Sequence, residues 1–202
     1  MRQCITILTI LILSGCSTSK VPQSLGIIGE ATSYLGSIAS DEARASLVGR
    51  DILSIGGNSS DAAVAMAFAL MVSRPDAAGA GGGGVCLHYD SKKNQVVSLK
   101  FLPQITSAKI PKGYRAGTIP GSFRGLYALY AKFGKLRWEQ LVKPAEQAAR
   151  FGWPISKGLS AVLKNTGKWA LKDAYTRNLF RNSQGEFLSA GKTIQQYELA
   201  GT

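Results

Sequence analysis

The 202-residue chain is 45% apolar and 18% charged, a globular composition that excludes collagen-like and wholly disordered classes and suffices for one domain with its own core. Its formal net charge of +12 is unevenly spread: residues 1–90 hold five Lys/Arg against seven Asp/Glu, whereas residues 91–182 hold eighteen against three. Such a basic half suits anionic headgroups, nucleic acid or an acidic partner, and equally a solvated lysine-rich face or a face docked on an acidic segment.

Residues 1–15, MRQCITILTILILSG, place Arg2 before an apolar run from Cys4 to Leu13 and then small residues. This is the layout of a secretory signal, with an apolar core too short to span a bilayer. Leu13-Ser14-Gly15-Cys16 also resembles the lipobox of bacterial lipoproteins, in which the cysteine becomes the lipidated first residue of the mature chain. Ser17, Thr18, Ser19, Lys20 and Pro22 then read as part of a linker over 16–25, with the folded domain over 26–202. The expected mature protein is exported, anchored to the membrane through lipidated Cys16 and faces the periplasm. Cys86 is then the one remaining thiol, so no internal disulfide is expected.

Ser40-Asp41-Glu42 predicts a helix start, and Leu47, Val48, Ile52 and Ile55 recur near the 3.6 period before Gly56-Gly57 ends the helix. Asn58 is placed to cap a second helix, DAAVAMAFALMVS (61–73), apolar nearly all round and hence buried, which Pro75 closes. Val85 to Asp90 and Gln95 to Leu99, around the turn SKKN, predict a β-hairpin. Pro120-Gly121-Ser122 precedes a helix in which Phe123, Leu126, Tyr127, Tyr130 and Phe133 are helically spaced, with Gly134 at its stop. Trp138, Leu141 and Val142, then Ala145 to Phe151, read as short helices, and Ser156 as a further cap. Because Tyr127, Tyr130, Phe133 and Trp138 fall on a core stripe, the basic residues among them do not read as a nucleic-acid interface, and no nucleic-acid partner is expected.

The run PDAAGAGGGGVCLHYD (75–90) admits three readings. Gly79, Gly81 and Gly84 satisfy GxGxxG, but a phosphate cradle needs a strand before the loop and a helix after it, and here the order is reversed. Cys86 and His88, two apart on a strand, face the same side and invite a thiol nucleophile with an imidazole base; neighbours on one strand, however, point in parallel rather than at each other. The third reading is a packing device, in which bare backbone lets another chain segment pass close by.

GGNSSDAAVAMAFAL (56–70) and SRPDAAGAGGGGVCLHYD (73–90) resemble the GGNAxDAAVA and GxGGGG segments of the γ-glutamyltransferase (γ-glutamyltranspeptidase, glutathione hydrolase) family. The likeness continues through Gly117-Thr118-Ile119-Pro120-Gly121-Ser122, Phe133-Gly134-Lys135-Leu136 with Trp138, Pro144-Ala145, Ala148 to Gly152, and IQQYELAGT (194–202), similar to LxQPxLAxT. It runs in collinear order from about Ala39 to Thr202. The resemblance implies an α+β fold: the N-terminal portion of an N-terminal-nucleophile hydrolase αββα sandwich, helix-rich with a β-hairpin. It implies a precursor that cleaves itself into two subunits, a threonine at the new N-terminus attacking a γ-glutamyl amide, and an acyl-enzyme passed to water or an amino acid, with no metal or organic cofactor.

Two departures bear on function. The cleavage site, nucleophile and oxyanion donors of the family fall beyond Thr202, so no catalytic residue is expected within these residues, and the small subunit is absent from them. In well-known members an arginine in an FRExAP-like segment after the second hairpin strand grips the γ-glutamyl α-carboxylate, a task suited to a guanidinium. This chain has Lys100-Phe101-Leu102-Pro103-Gln104-Ile105-Thr106, with Leu102 at the aligned position. Lys100 and Gln104 remain as substrate-binding residues for a γ-glutamyl compound or related small amide. The rival expectation is a catalytically inactive lipoprotein remnant that binds an anionic surface or partner through residues 91–182.

Overall fold

The Glu42 carboxylate accepts the Ala45 N–H at 3.0 Å and starts α1, Ala43–Ser54. The computed structural model describes residues 36–105, 118–166 and 174–202; the expected leader, Cys16, the linker, Thr106 and Gly117 lie outside them. The buried stripe of α1 is Ala45, Gly49, Ile52 and Leu53. Leu47 and Ile55, expected on that stripe, are 47% and 56% exposed. The stripe turns because Gly49 gives up its side-chain space to Met66, whose Sδ lies 2.5 Å from where a Cβ would stand.

Asn58 caps α2, Ser59–Ser73. Its Oδ1 accepts the Ser60 and Asp61 N–H groups at 2.9 and 3.0 Å, and Asp61 Oδ2 accepts the Asn58 N–H at 3.0 Å. This reciprocal pair satisfies helix N–H groups that have no partner within the helix. Asp61 is fully buried and reaches further, accepting the Lys135 N–H at 3.0 Å and the Leu136 N–H at 3.3 Å. Asn58 Nδ2 adds a bond to the Phe133 carbonyl at 2.6 Å.

After α2 come β1, Val85–Asp90, and β2, Gln95–Lys100, antiparallel with Val85 opposite Lys100 and Asp90 opposite Gln95. Asp90 Oδ1 accepts the Lys92 N–H at 3.0 Å and Asn94 takes a φ of 50°, which closes the expected turn. A short pair follows, β3 (Gln104–Ile105) with β4 (Thr118–Ile119). Next are α3, Ser122–Phe133, and α4, Trp138–Phe151. α4 is one 14-residue helix, not the short helices expected from the pattern. It runs through Pro144, giving up one internal N–H bond while its face of Leu141, Ala145 and Ala149 stays buried.

The aromatic stripe expected on α3 is also displaced. The buried positions are Ser122, Gly125, Leu126 and Leu129, while Phe123 and Tyr127 are 38% and 56% exposed. Tyr127 and Tyr130 instead pack against Trp138, at ring separations of 5.4 and 5.1 Å.

α2 lies at the centre, with α1, α3 and α4 packed around it. Ile52, Val64, Phe68, Leu126, Leu129 and Leu141 form much of one core cluster. After β5 (Trp153–Pro154), a smaller cluster of Ile155, Leu159, Leu163, Phe180 and Ile194 joins α5 (Lys157–Thr166), α6 (Ala174–Phe180) and β6 (Thr193–Ile194). Ser156 caps α5 as expected, accepting the Leu159 N–H at 3.1 Å, and α7, Tyr197–Gly201, ends the chain. Among the described residues no helix is long and apolar enough to cross a membrane.

Asp61→Ala leaves partly buried N–H groups without acceptors at three separate backbone positions and is expected to destabilise the protein by about 3 kcal/mol. Asp61→Asn, which keeps one carbonyl oxygen, is expected to cost less. Urea unfolding of both variants beside the parent measures the order, and equal midpoints for parent and Asp61→Ala would remove the role assigned to this carboxylate.

Candidate functional site: the glycine loop

Two separate stretches of chain, the glycine loop and the start of α3, converge on one residue, Phe101. The Phe101 N–H donates to the Gly84 carbonyl at 2.9 Å, extending the hairpin ladder into the glycine loop. The Gly82 carbonyl accepts from the N–H groups of Gly121 and Ser122, at 2.8 and 3.1 Å, and Ser122 Oγ donates to the Gly79 carbonyl at 2.9 Å. The loop is thereby tied to the start of α3.

None of the loop glycines takes a positive φ, so their requirement is close approach and not left-handed backbone. A Cβ on Gly125 would fall within the Phe101 ring, and one on Gly83 or Gly121 would collide with the Phe101 carbonyl oxygen. A Cβ on Gly84 would stand 3.2 Å from the ring edge. Gly79 and Gly81 face open space. This geometry matches the packing reading. The phosphate-cradle reading fails on it, because the first N–H groups of α3, where an anion would sit, already hold the Gly82 carbonyl.

Beside the loop lies a cavity of about 220 Å³ whose lining includes Leu70, Met71, Gly82, Gly83, Phe101 and Ser122. The loop leaves α2 through a bidentate ion pair in which Arg74 Nε and a terminal nitrogen each lie 2.9 Å from an Asp76 oxygen. The hydrogen bond to Asp76 raises the Arg74 pKa against the opposing effect of burial.

Cys86 and His88 do share the inner face of β1, but each is turned to its own surroundings. His88 Nδ1 lies 3.1 Å from Ser60 Oγ, and its ring stacks on Phe133 at 3.7 Å. Burial pushes the Cys86 thiol pKa up, the opposite of what a thiolate nucleophile needs. Among the described residues no three His, Cys, Asp or Glu side chains cluster as metal ligands.

Lys100 ends β2 and Gln104 lies in β3 opposite Ile119. Both are exposed, on either side of Phe101 in sequence, and neither lines the cavity beside the loop. Neither side chain has a hydrogen-bond partner among the described residues. Leu102, between them, is 58% exposed. Two residues that position this region escape a reading of the sequence. The Asn58-to-Asp61 spacing could have signalled a capping box, but nothing in the sequence says that Asp61 also holds residues 135 and 136. Phe101 has no local signal at all, since its partners are glycines far away in sequence.

Comparison with known proteins places these motifs in context. The family described as Gamma-glutamyltranspeptidase matches residues 45–202. The chain is 34% identical to Glutathione hydrolase 2 of Arabidopsis thaliana over 98% of this chain and 35% of that protein. It is 32% identical to the Glutathione hydrolase proenzyme of Escherichia coli (strain K12), over 82% of this chain and 31% of that one. The crystal structure of Helicobacter pylori gamma-Glutamyltranspeptidase superposes with a TM-score of 0.77 at 30% identity, covering 86% of this chain and 54% of that chain. The chain thus spans about a third of the length of these curated relatives.

Gly125→Ala is expected to cost about 2 kcal/mol through overpacking against Phe101. Phe101→Leu in the same chain is expected to recover part of the loss, and a thermodynamic cycle over the two single variants and the double measures the coupling. Strict additivity would show that the two residues do not share this contact.

Proposed function

The chain belongs to the gamma-glutamyltranspeptidase family, and we propose on that premise that it forms the N-terminal part of the large subunit of an exported γ-glutamyl transferase or hydrolase. The fold is α+β, the N-terminal portion of an N-terminal-nucleophile hydrolase αββα sandwich.

The observation that carries the proposal is the outer face of the hairpin. Cys86, His88 and Leu99 turn inward, whereas Val85, Leu87, Tyr89 and Val96 are 54%, 71%, 58% and 62% exposed. In an αββα sandwich each sheet has helices on one face and the second sheet on the other. An apolar sheet face left open opposite a helix-covered one is what a part of that sandwich presents before the second sheet is added.

The chemistry is assigned to a second half, outside these residues. There a threonine Oγ attacks the γ-glutamyl carbonyl carbon, its proton passing to the threonine's own α-amine and then to the leaving nitrogen as the C–N bond breaks. The resulting ester is opened by water or by an amino-acid amine, which restores the hydroxyl. This chain's share is to build the wall of the substrate site. With Leu102 where a guanidinium would clamp the donor α-carboxylate, that clamp is replaced by the point charge of Lys100 and the amide of Gln104, a weaker arrangement. The donor is accordingly a γ-glutamyl compound or small amide recognised differently from glutathione. Cys16 carries the lipid that holds the protein at the membrane, facing the periplasm.

The chain alone is expected to release no chromophore from a γ-glutamyl anilide, and release above the buffer rate would overturn the assignment of the nucleophile to a second half. Leu87→Lys is expected to leave the unfolding free energy of the chain within about 0.5 kcal/mol of the parent; a large loss would show that the face is already covered.

Radiolabelled palmitate fed to a bacterial host expressing the chain is expected to label the parent and not Cys16→Ser. Equal labelling, or none in either, would remove the lipid anchor.

A further inference from the structure

One end of the helical layer carries a concentration of cations that the catalytic reading leaves unused. The α1–α2 turn and the α3–α4 connection are held side by side there, by Asn58 Nδ2 on the Phe133 carbonyl at 2.6 Å and by Asp61 on the Lys135 and Leu136 N–H groups. Lys132 projects from the last turn of α3, Lys135 and Arg137 from the connection and Lys143 from α4, and all four are exposed. An open cleft of about 450 Å³ joins Arg137 and Lys143 to Ile55, and Glu139 is the one carboxylate in its lining.

None of the four cations is ion-paired among the described residues, whereas Arg50, Arg74, Lys93 and Arg150 each have a carboxylate. Lys132 Nζ stands 5.3 Å from the centre of the Phe133 ring, which steadies its stem without neutralising its charge. Ile55 is a large apolar side chain, 56% exposed, in the same cleft as Arg137 and Lys143.

We propose that this end of the molecule docks on anionic phospholipid headgroups, with Lys132, Lys135, Arg137 and Lys143 meeting phosphate and Ile55 entering the interfacial layer. Cations around an apolar tip match the order of a bilayer surface, anionic outside and hydrocarbon within. An acidic protein segment would complement the charges and leave Ile55 without a role. The inference rests on the proposed Cys16 lipid only for bringing a bilayer within reach; the surface itself is independent of it. The basic patch would add an electrostatic attachment to the one the lipid makes.

The test uses the full chain with Cys16→Ser, purified without lipid, and sedimentation with vesicles of phosphatidylcholine alone or mixed with phosphatidylglycerol. Binding contributed by the apolar leader is common to both vesicle types and sets the baseline. The expected result is excess binding to the anionic vesicles that falls as salt rises. Combined Lys132→Gln, Lys135→Gln, Arg137→Gln and Lys143→Gln is expected to reduce that excess about tenfold or more, since each cation near such a surface contributes roughly fivefold.

Lys92→Gln with Lys93→Gln, at the hairpin tip, is expected to change it little, and an unfolding curve confirms that each variant is folded. Equal binding to both vesicle types, an excess insensitive to the fourfold variant, or a fourfold variant that keeps vesicle binding while losing binding to polyglutamate would each overturn the proposal. Because no lipid is present on the protein, failure here is distinct from failure of the palmitate labelling.

Discussion

A single carboxylate with no exposed surface, Asp61, holds two helix beginnings in register. A buried charge is costly unless hydrogen bonds replace its water, and here backbone N–H groups from residues 58, 135 and 136 do so. The same groups lie near the positive end of α2, which adds to the compensation. Because the donors come from segments more than seventy residues apart, the bond set that starts α2 also fixes where α3 ends and α4 begins. The core helices then have little freedom to slide. Gly134 follows from this: a Cβ there would stand 3.0 Å from Asp61 Oδ1 and closer still to the Tyr130 carbonyl.

The glycine loop is the second fixed point, and it works by absence. A helix that is apolar on most sides can pack closely only where its neighbours are small. Phe101 supplies the bulk, and Gly83, Gly84, Gly121 and Gly125 supply the room. The entropy given up by so many glycines is offset by a ring packed against bare backbone. The loop therefore fixes the start of α3 and the end of the hairpin relative to α2, and it sets where Lys100 and Gln104 leave the sheet.

The expected helix starts at Asn58 and Ser156, the hairpin with its turn, and the stop at Gly134 are all present because each depends on chemistry within a few residues: a cap, an alternation, a turn. The expected burial of Leu47, Ile55, Phe123 and Tyr127 is not met, because which side of a helix is buried depends on where its neighbour needs space. On α1 that is Gly49 against Met66, and on α3 it is Gly125 against Phe101. In both cases a glycine, which periodicity counts as neutral, marks the contact. The same limit applies to the site: the family motifs are readable in the sequence, whereas their convergence on Phe101 is a property of the folded chain.

The hairpin joins these points to function. Its inner face is settled: His88 lies between Ser60 and Phe133, and Cys86 is buried enough to raise its pKa. These contacts tie β1 to the end of the helical layer that Asp61 organises, through the start of α2 and the end of α3. Its outer face has Leu87 and Val96 in water, at a cost of roughly 25 cal/mol for each Å² of apolar surface left uncovered. A strand pair this rigid on one side and this unsatisfied on the other is a template, since its inner contacts fix the plane on which a second sheet must lie. The helical layer thus does for a distant active site what Asp61 does for the layer itself, setting position without taking part in the chemistry.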